Sequence, residues 1–195
     1  MYLQSQLSTV KKKFILNSLE INVLKIIFGS LLISILAQVS IPMVPVPITG
    51  QTLAVTVVGF SLGRKIGVSA VALYLFEGIA GLPVFANGSF GFSVLTGPSG
   101  GYLLGFVFST WILGYFSDKG VLNNFWKTIA VAGVASAVTF LFGLIQLSFF
   151  VPKDLVLQYG LIPFIPGGII KAIIASLIVV PTYKFFKKID ENTNN

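Results

Sequence analysis

The chain has 195 residues, 55% of them hydrophobic and only 10% charged, whereas soluble globular domains carry about 25% charge; its mean hydropathy of +0.93 is that of a membrane protein. A net charge of +7 in so apolar a chain orients membrane segments rather than binding nucleic acid. Cysteine and histidine are both absent, which excludes disulfides, thiolate sites and the commonest general base and metal ligand, and no glycine loop ends in Lys followed by Ser or Thr, so the chain does not hydrolyse ATP by itself.

In chain order, residues 1–22 are expected to form a cytoplasmic segment. Within it, residues 10–19 suit a short interfacial helix or a basic tail equally. The apolar run there is interrupted by Asn17, Glu20, Asn22 and Lys25, unlike a cleavable signal. From Ile26 to Gly63 no charge occurs, but Pro42, Pro45 and Pro47 break the stretch; a membrane helix needs about 20 apolar residues and cannot hold three such prolines. Helices are therefore predicted over residues 23–41 and 49–62. Between Ile66 and Ser117 the only charge is Glu77, and glycines and prolines from Gly81 to Pro98 divide the stretch, predicting helices over 67–80 and 100–116. Thr128 to Pro152 is charge-free and Leu155 to Tyr183 holds only Lys171, predicting helices over 127–150 and 163–186. The expected fold is an all-α integral membrane protein, one bundle of six transmembrane helices (residues 23–186) with structured outer loops and a cytoplasmic tail over 187–195, forming a single membrane domain over 1–195.

With the N-terminus inside, ten basic residues (Lys11, Lys12, Lys13, Arg64, Lys65, Lys119, Lys127, Lys184, Lys187 and Lys188) fall on the cytoplasmic side and Lys153 alone outside, as positive loops require. Helices two and three, at about 14 residues, span only about 21 Å. Short helices beside structured loops predict a pocket on the outer side.

The outer loops carry the unusual residues. Residues 41–52 are apolar and proline-stiffened, a wall of that pocket or simply a turn that ends two helices. Residues 81–102 are too apolar for a solvent loop, and irregular backbone at membrane depth is tolerated only where protein buries it or it lines a cavity. Its glycines, Gly88 among them, allow close backbone approach to a ligand, and its aromatic residues offer flat walls; the alternative is a tight re-entrant turn with interfacial aromatic anchors. Lys171, an ammonium about eight residues into the last helix, marks a ligand path if it faces a cavity, or snorkels to water along its stem. Glu77 is its natural candidate partner, or else a water-exposed interfacial residue. Gly29, Ser30, Ser34 and Ala37 give helix one a face of small residues, suited to docking another membrane protein or to ordinary packing.

Several long motifs resemble one family. Gln38-Val39-Ser40-Ile41-Pro42, Val46-Pro47-Ile48-Thr49-Gly50-Gln51-Thr52-Leu53, Leu73-Tyr74-Leu75-Phe76-Glu77-Gly78, Gly81-Leu82-Pro83-Val84-Phe85-Ala86, Thr96-Gly97-Pro98-Ser99-Gly100-Gly101-Tyr102-Leu103-Leu104-Gly105-Phe106 and Ile165-Pro166-Gly167-Gly168-Ile169-Ile170-Lys171-Ala172 are similar to those of the BioY family, the biotin-specific binding subunits of energy-coupling-factor vitamin importers. The resemblance implies a six-helix bundle in a prokaryotic cytoplasmic membrane, non-enzymatic and without cofactor. It would bind one biotin beneath the loops 41–52 and 81–102 and dock onto a shared transmembrane subunit driven by two ATPase subunits. In that family the last motif reads Pro-Gly-Asp, with Lys two residues after the acid's neighbour, and both side chains are taken as ligand contacts. Here Gly168 stands at the acid's place and Lys171 is kept. Glu77, Asn87 or Gln51 could then supply the acceptor for the ureido N–H groups, while Tyr74, Phe85 and Tyr102 wall the bicycle or merely pack the helices. A solitary biotin carrier and an importer subunit for another small vitamin are the alternatives. An enzyme lacks a catalytic constellation here, and a pure scaffold leaves Lys171 unexplained.

Overall fold

The computed structural model describes residues 18–193. The expected cytoplasmic stretch, with Lys11, Lys12, Lys13 and most of the 10–19 segment, lies outside the described residues. The fold is all-α. Helix α1 (Ser18–Gln38) leads through a two-stranded antiparallel ribbon, β1 (Ser40–Ile41) and β2 (Ile48–Thr49), into α2 (Gln51–Ile79). A short α3 (Phe92–Thr96) precedes α4 (Gly100–Asp118), α5 (Phe125–Leu147), a short α6 (Val156–Gly160) and α7 (Phe164–Thr193).

Helix α2 is not one rod. Gly63 has φ 71° and ψ −179°, a backbone state that side-chain-bearing residues avoid, and the chain reverses there into two antiparallel arms, residues 51–62 and 64–79. The reversal is close because it is made of small groups: a Cβ on Gly67 would stand 3.4 Å from Gly59 Cα. Farther along, the Gln51 side chain reaches Tyr74 on the other arm. Counting both arms, six segments build the bundle, as the charge-free intervals predict. Three stretches, namely α1, α5 and residues 153–189, are long and apolar enough to cross a membrane by length and composition, and the 29 residues of α2 reach that length only when its two arms are counted together. α4 adds 19 residues, about 28 Å.

The arm 64–79 is central. Ile33 of α1, Val58 and Val71 of the two arms, Phe85 of the following loop and Phe106 of α4 form one buried cluster. At the opposite end Phe60, Leu113, Leu122, Ala132 and Val179 form another. Glycine again sets the distance between α2 and α4, since a Cβ on Gly114 would collide with the backbone of Arg64. Asp118 at the end of α4 accepts the Arg64 backbone N–H at 3.2 Å, so the hinge is tied to its neighbour by backbone and side chain together.

The small-residue face of α1 is turned inward. Gly29 packs against Ala70, Ser30 and Ala37 are fully buried, and the Ser34 hydroxyl bonds to the Ser30 carbonyl at 3.0 Å. Of the small residues expected to dock another membrane protein, Gly29, Ser30 and Ala37 are buried, with Gly29 and Ser30 packed on the 64–79 arm, while Ser34 is half-buried. What α1 leaves exposed is its large apolar side, including Leu24, Phe28, Leu31 and Ile35, suited to lipid.

Candidate ligand-binding site

Above the short arms, at the end of the bundle away from Gly63, lies a cavity of about 270 Å³, just under the roughly 300 Å³ at the small end of ligand sites. Every element at that end of the bundle contributes. The β-ribbon supplies Val46, Pro47 and Thr49; the first arm of α2 supplies Gln51, Thr52 and Thr56; the loop after α2 supplies Phe85, Ala86, Asn87 and Ser89. Ser99, Tyr102 and Phe106 come from α4 and its start, Ser136, Thr139 and Phe140 from α5, and Phe164, Gly168 and Lys171 from α7.

Lys171 enters this space from the side of α7. Its Nζ donates to the Thr49 carbonyl at 2.6 Å and to Thr52 Oγ1 at 3.2 Å, and among the described residues no carboxylate pairs with it. An ammonium lodged at membrane depth on neutral oxygens alone retains most of its desolvation cost, so an anionic or strongly accepting ligand group would find an uncompensated charge waiting.

The expected partner is elsewhere. Glu77 accepts a hydrogen bond from Ser30 Oγ and does not line the cavity; the Glu77–Lys171 pairing is corrected. The cause is geometric: Glu77 lies on the side of its arm that faces α1, whereas Lys171 meets the start of the other arm.

The aromatic walls are fixed by their neighbours. Tyr102 donates its hydroxyl to the Gly160 carbonyl at 2.8 Å, stacks on Phe164 at 6.1 Å and meets Phe140 edge-on at 6.3 Å. Phe85 meets Tyr74 edge-on at 5.4 Å and rests where a side chain on Gly78 would overlap its ring. Tyr74 is fully buried behind the wall, holding Gln51, which also accepts from Thr49 Oγ1 at 2.7 Å. These contacts lock rotamers in advance, which lowers the ordering cost of binding.

The roof is pinned in two places. Gln38 at the end of α1 donates to the Phe85 carbonyl at 3.1 Å and accepts the Gly88 N–H at 2.9 Å, while Ser40 donates to Asn87 Oδ1. Asn87 itself has φ 57°, a left-handed state that Asn tolerates better than most residues. On the α4 side, Gln146 donates to the carbonyls of Leu95 and Gly97, both at 2.7 Å, holding α3 against α5.

Of the residues expected to touch a ligand, Lys171, Gly168, Asn87, Gln51, Phe85 and Tyr102 line the cavity; Tyr74, Glu77 and Gly88 do not. The sequence reading missed the hydroxyl floor of Thr52, Thr56, Ser136 and Thr139, which was visible only as polar residues three to four apart in apolar helices. Among the described residues no group of three or more acidic, His or Cys side chains could hold a metal.

A family model described as the BioY family matches residues 9–188. The chain is 38% identical over 151 residues to the biotin transporter BioY of Thermotoga maritima, covering 76% of this chain and 88% of that one. To the biotin transporter BioY of Rhizobium etli it is 30% identical over 168 residues, covering 80% and 89%. Its fold is similar to a crystal structure of the S-component for biotin from an ECF-type ABC transporter, with a TM-score of 0.77 and 31% identity over 87% of this chain and 95% of that one.

Proposed function

The chain belongs to the BioY family, and on that premise we propose that it is a multi-pass membrane subunit for biotin uptake, an S-component and not an enzyme. It captures biotin in the cavity beneath the β-ribbon and the 81–91 loop and delivers it inward with an ATP-driven module made of a shared transmembrane subunit and two ATPase subunits. The observation that carries this reading is Lys171, a cation without a carboxylate partner among the described residues, inside a cavity walled by Phe85, Tyr102 and Phe164.

Biotin asks for this combination. Its bicycle is apolar apart from one urea, and its tail ends in one carboxylate. Aromatic walls accept the bicycle, the Lys171 ammonium offsets the desolvation of an anionic or carbonyl oxygen, and Gln51, Asn87 and the threonine hydroxyls offer directed hydrogen bonds to the remainder. Gly168 leaves open the place where the family's acid would stand. The distribution of basic residues supports a cytoplasmic location for both termini in a prokaryotic cytoplasmic membrane.

The test is ligand-dependent heat stability of the purified protein. Micromolar biotin should raise the unfolding temperature by mass action, whereas thiamine and riboflavin should not; a response to either of those in place of biotin would overturn the assignment.

A further inference from the structure

At the end of the bundle opposite the cavity, the Arg64 guanidinium lies 5.9 Å from the ring centroids of both Trp111 and Tyr115. These two rings stack on each other at 5.5 Å, nearly parallel. One turn further, just past the end of α4, Lys119 Nζ sits 4.5 Å from the Tyr115 centroid. The spacing 111, 115, 119 sets the two rings and the lysine along one side of α4, and the close approach of the hinge to Gly114 lays Arg64 across them. Asp118, the acidic residue beside this group, has its carboxylate turned to the Arg64 backbone N–H and Gly63. The two cations are therefore held on ring faces with no carboxylate paired to them among the described residues, beside Lys65, and Trp111 remains 47% exposed.

Tryptophan and tyrosine favour the depth of lipid headgroups, and basic groups clustered there attract anionic lipid. We propose that Arg64, Trp111, Tyr115 and Lys119 form a binding site for the headgroup of an anionic phospholipid, its phosphate set between the guanidinium and the ammonium and its acyl chains along the exposed face of Trp111. The aromatic stack positions both cations before the lipid arrives, and it anchors the hinge end of the bundle at the charged surface of the bilayer. The site does not depend on what the cavity binds.

The chain has two tryptophans, so Trp126→Phe leaves Trp111 as the sole reporter. In nanodiscs of phosphatidylcholine, phosphatidylglycerol with brominated acyl chains should quench Trp111 far more per mole than brominated phosphatidylcholine does, with a local enrichment of roughly thirtyfold, in line with two basic groups at about 1 kcal/mol each at a membrane surface. In the Arg64→Gln/Lys119→Gln variant the preference should vanish. Equal quenching by the two lipids, or a preference that survives the double substitution, overturns the proposal. Should the double variant fail to fold, a salt titration of the Trp126→Phe protein decides: the preference must fall as ionic strength rises, and a salt-independent preference overturns the site. Inorganic phosphate added to the buffer distinguishes a lipid site from a free-anion site; displacement of the brominated lipid at equimolar phosphate would overturn the lipid assignment.

Discussion

Lys171 Nζ donates to the main-chain carbonyl of Thr49 across 122 residues of sequence, joining the last helix to the entrance of the α2 hairpin. The bond needs no particular side chain at position 49, only a carbonyl left free at the mouth of the cavity. Replacing Lys171 by Met keeps the apolar stem and removes the charge. We expect biotin affinity to fall ten- to a hundredfold, the equivalent of about 1.5–3 kcal/mol for a charge-assisted hydrogen bond, while the ligand-free bundle keeps its heat stability because an expensive desolvated cation is gone. Titration calorimetry and a melting curve on the same preparation check both halves, and wild-type affinity would remove Lys171 from the site.

Glu77→Gln separates the two intramembrane charges. Since Glu77 serves Ser30 and not Lys171, affinity for biotin should stay within about twofold. Heat stability should drop by about 1 kcal/mol as the hydrogen bond from Ser30 is weakened. A binding loss equal to that of Lys171→Met would reinstate a link between the two residues.

Gly168→Asp restores the acid that relatives are expected to carry. A Cβ at 168 meets nothing within 4 Å, and position 168 shares the cavity side of α7 with Lys171, so an aspartate there has room to accept a ureido N–H. Biotin should bind roughly tenfold more tightly, the equivalent of one directed hydrogen bond of about 1.4 kcal/mol. Unchanged or weaker binding would show that the ligand's urea points elsewhere.

Gln38→Ala frees the roof. Its amide holds the 85–88 turn by two good bonds, at 3.1 and 2.9 Å, each of net value about 1 kcal/mol. The dissociation rate of biotin should rise by about tenfold with a smaller change in association, measurable by chasing labelled ligand. An unaltered rate would mean that the Ser40–Asn87 contact holds the turn alone.

Much of the fold could be read in advance because hydrocarbon is an unforgiving solvent. Charge-free intervals and prolines located all six segments, and the change from Leu62 to Arg64 marked the reversal that Gly63 makes. The site was harder. Lys171 stood out by its cost, yet its partners lie on a strand end and a helix start far away in sequence, and a backbone carbonyl has no sequence signature. Glu77 attracted it on paper because opposite charges attract, whereas the packing of α1 against the 64–79 arm settled the matter. Gly29, Ser30, Ser34 and Ala37 have a spacing common to internal and external helix contacts, so only their burial separates the two. Tyr74 carries the same aromatic character as Tyr102 but stands one layer behind it, supporting Gln51, and periodicity does not distinguish a wall from its buttress.

The hairpin also bears on how such a chain enters a bilayer during synthesis. Its arms, residues 51–62 and 64–79, reach only about 18 and 24 Å at 1.5 Å per residue, so each by itself falls short of a roughly 30 Å crossing. An insertion machinery that weighs segments singly would find two substandard candidates. Partitioned together, with Arg64 and Lys65 retained at the turn, they are a single insertion event, and the unfilled depth above them becomes the vestibule through which cargo is admitted.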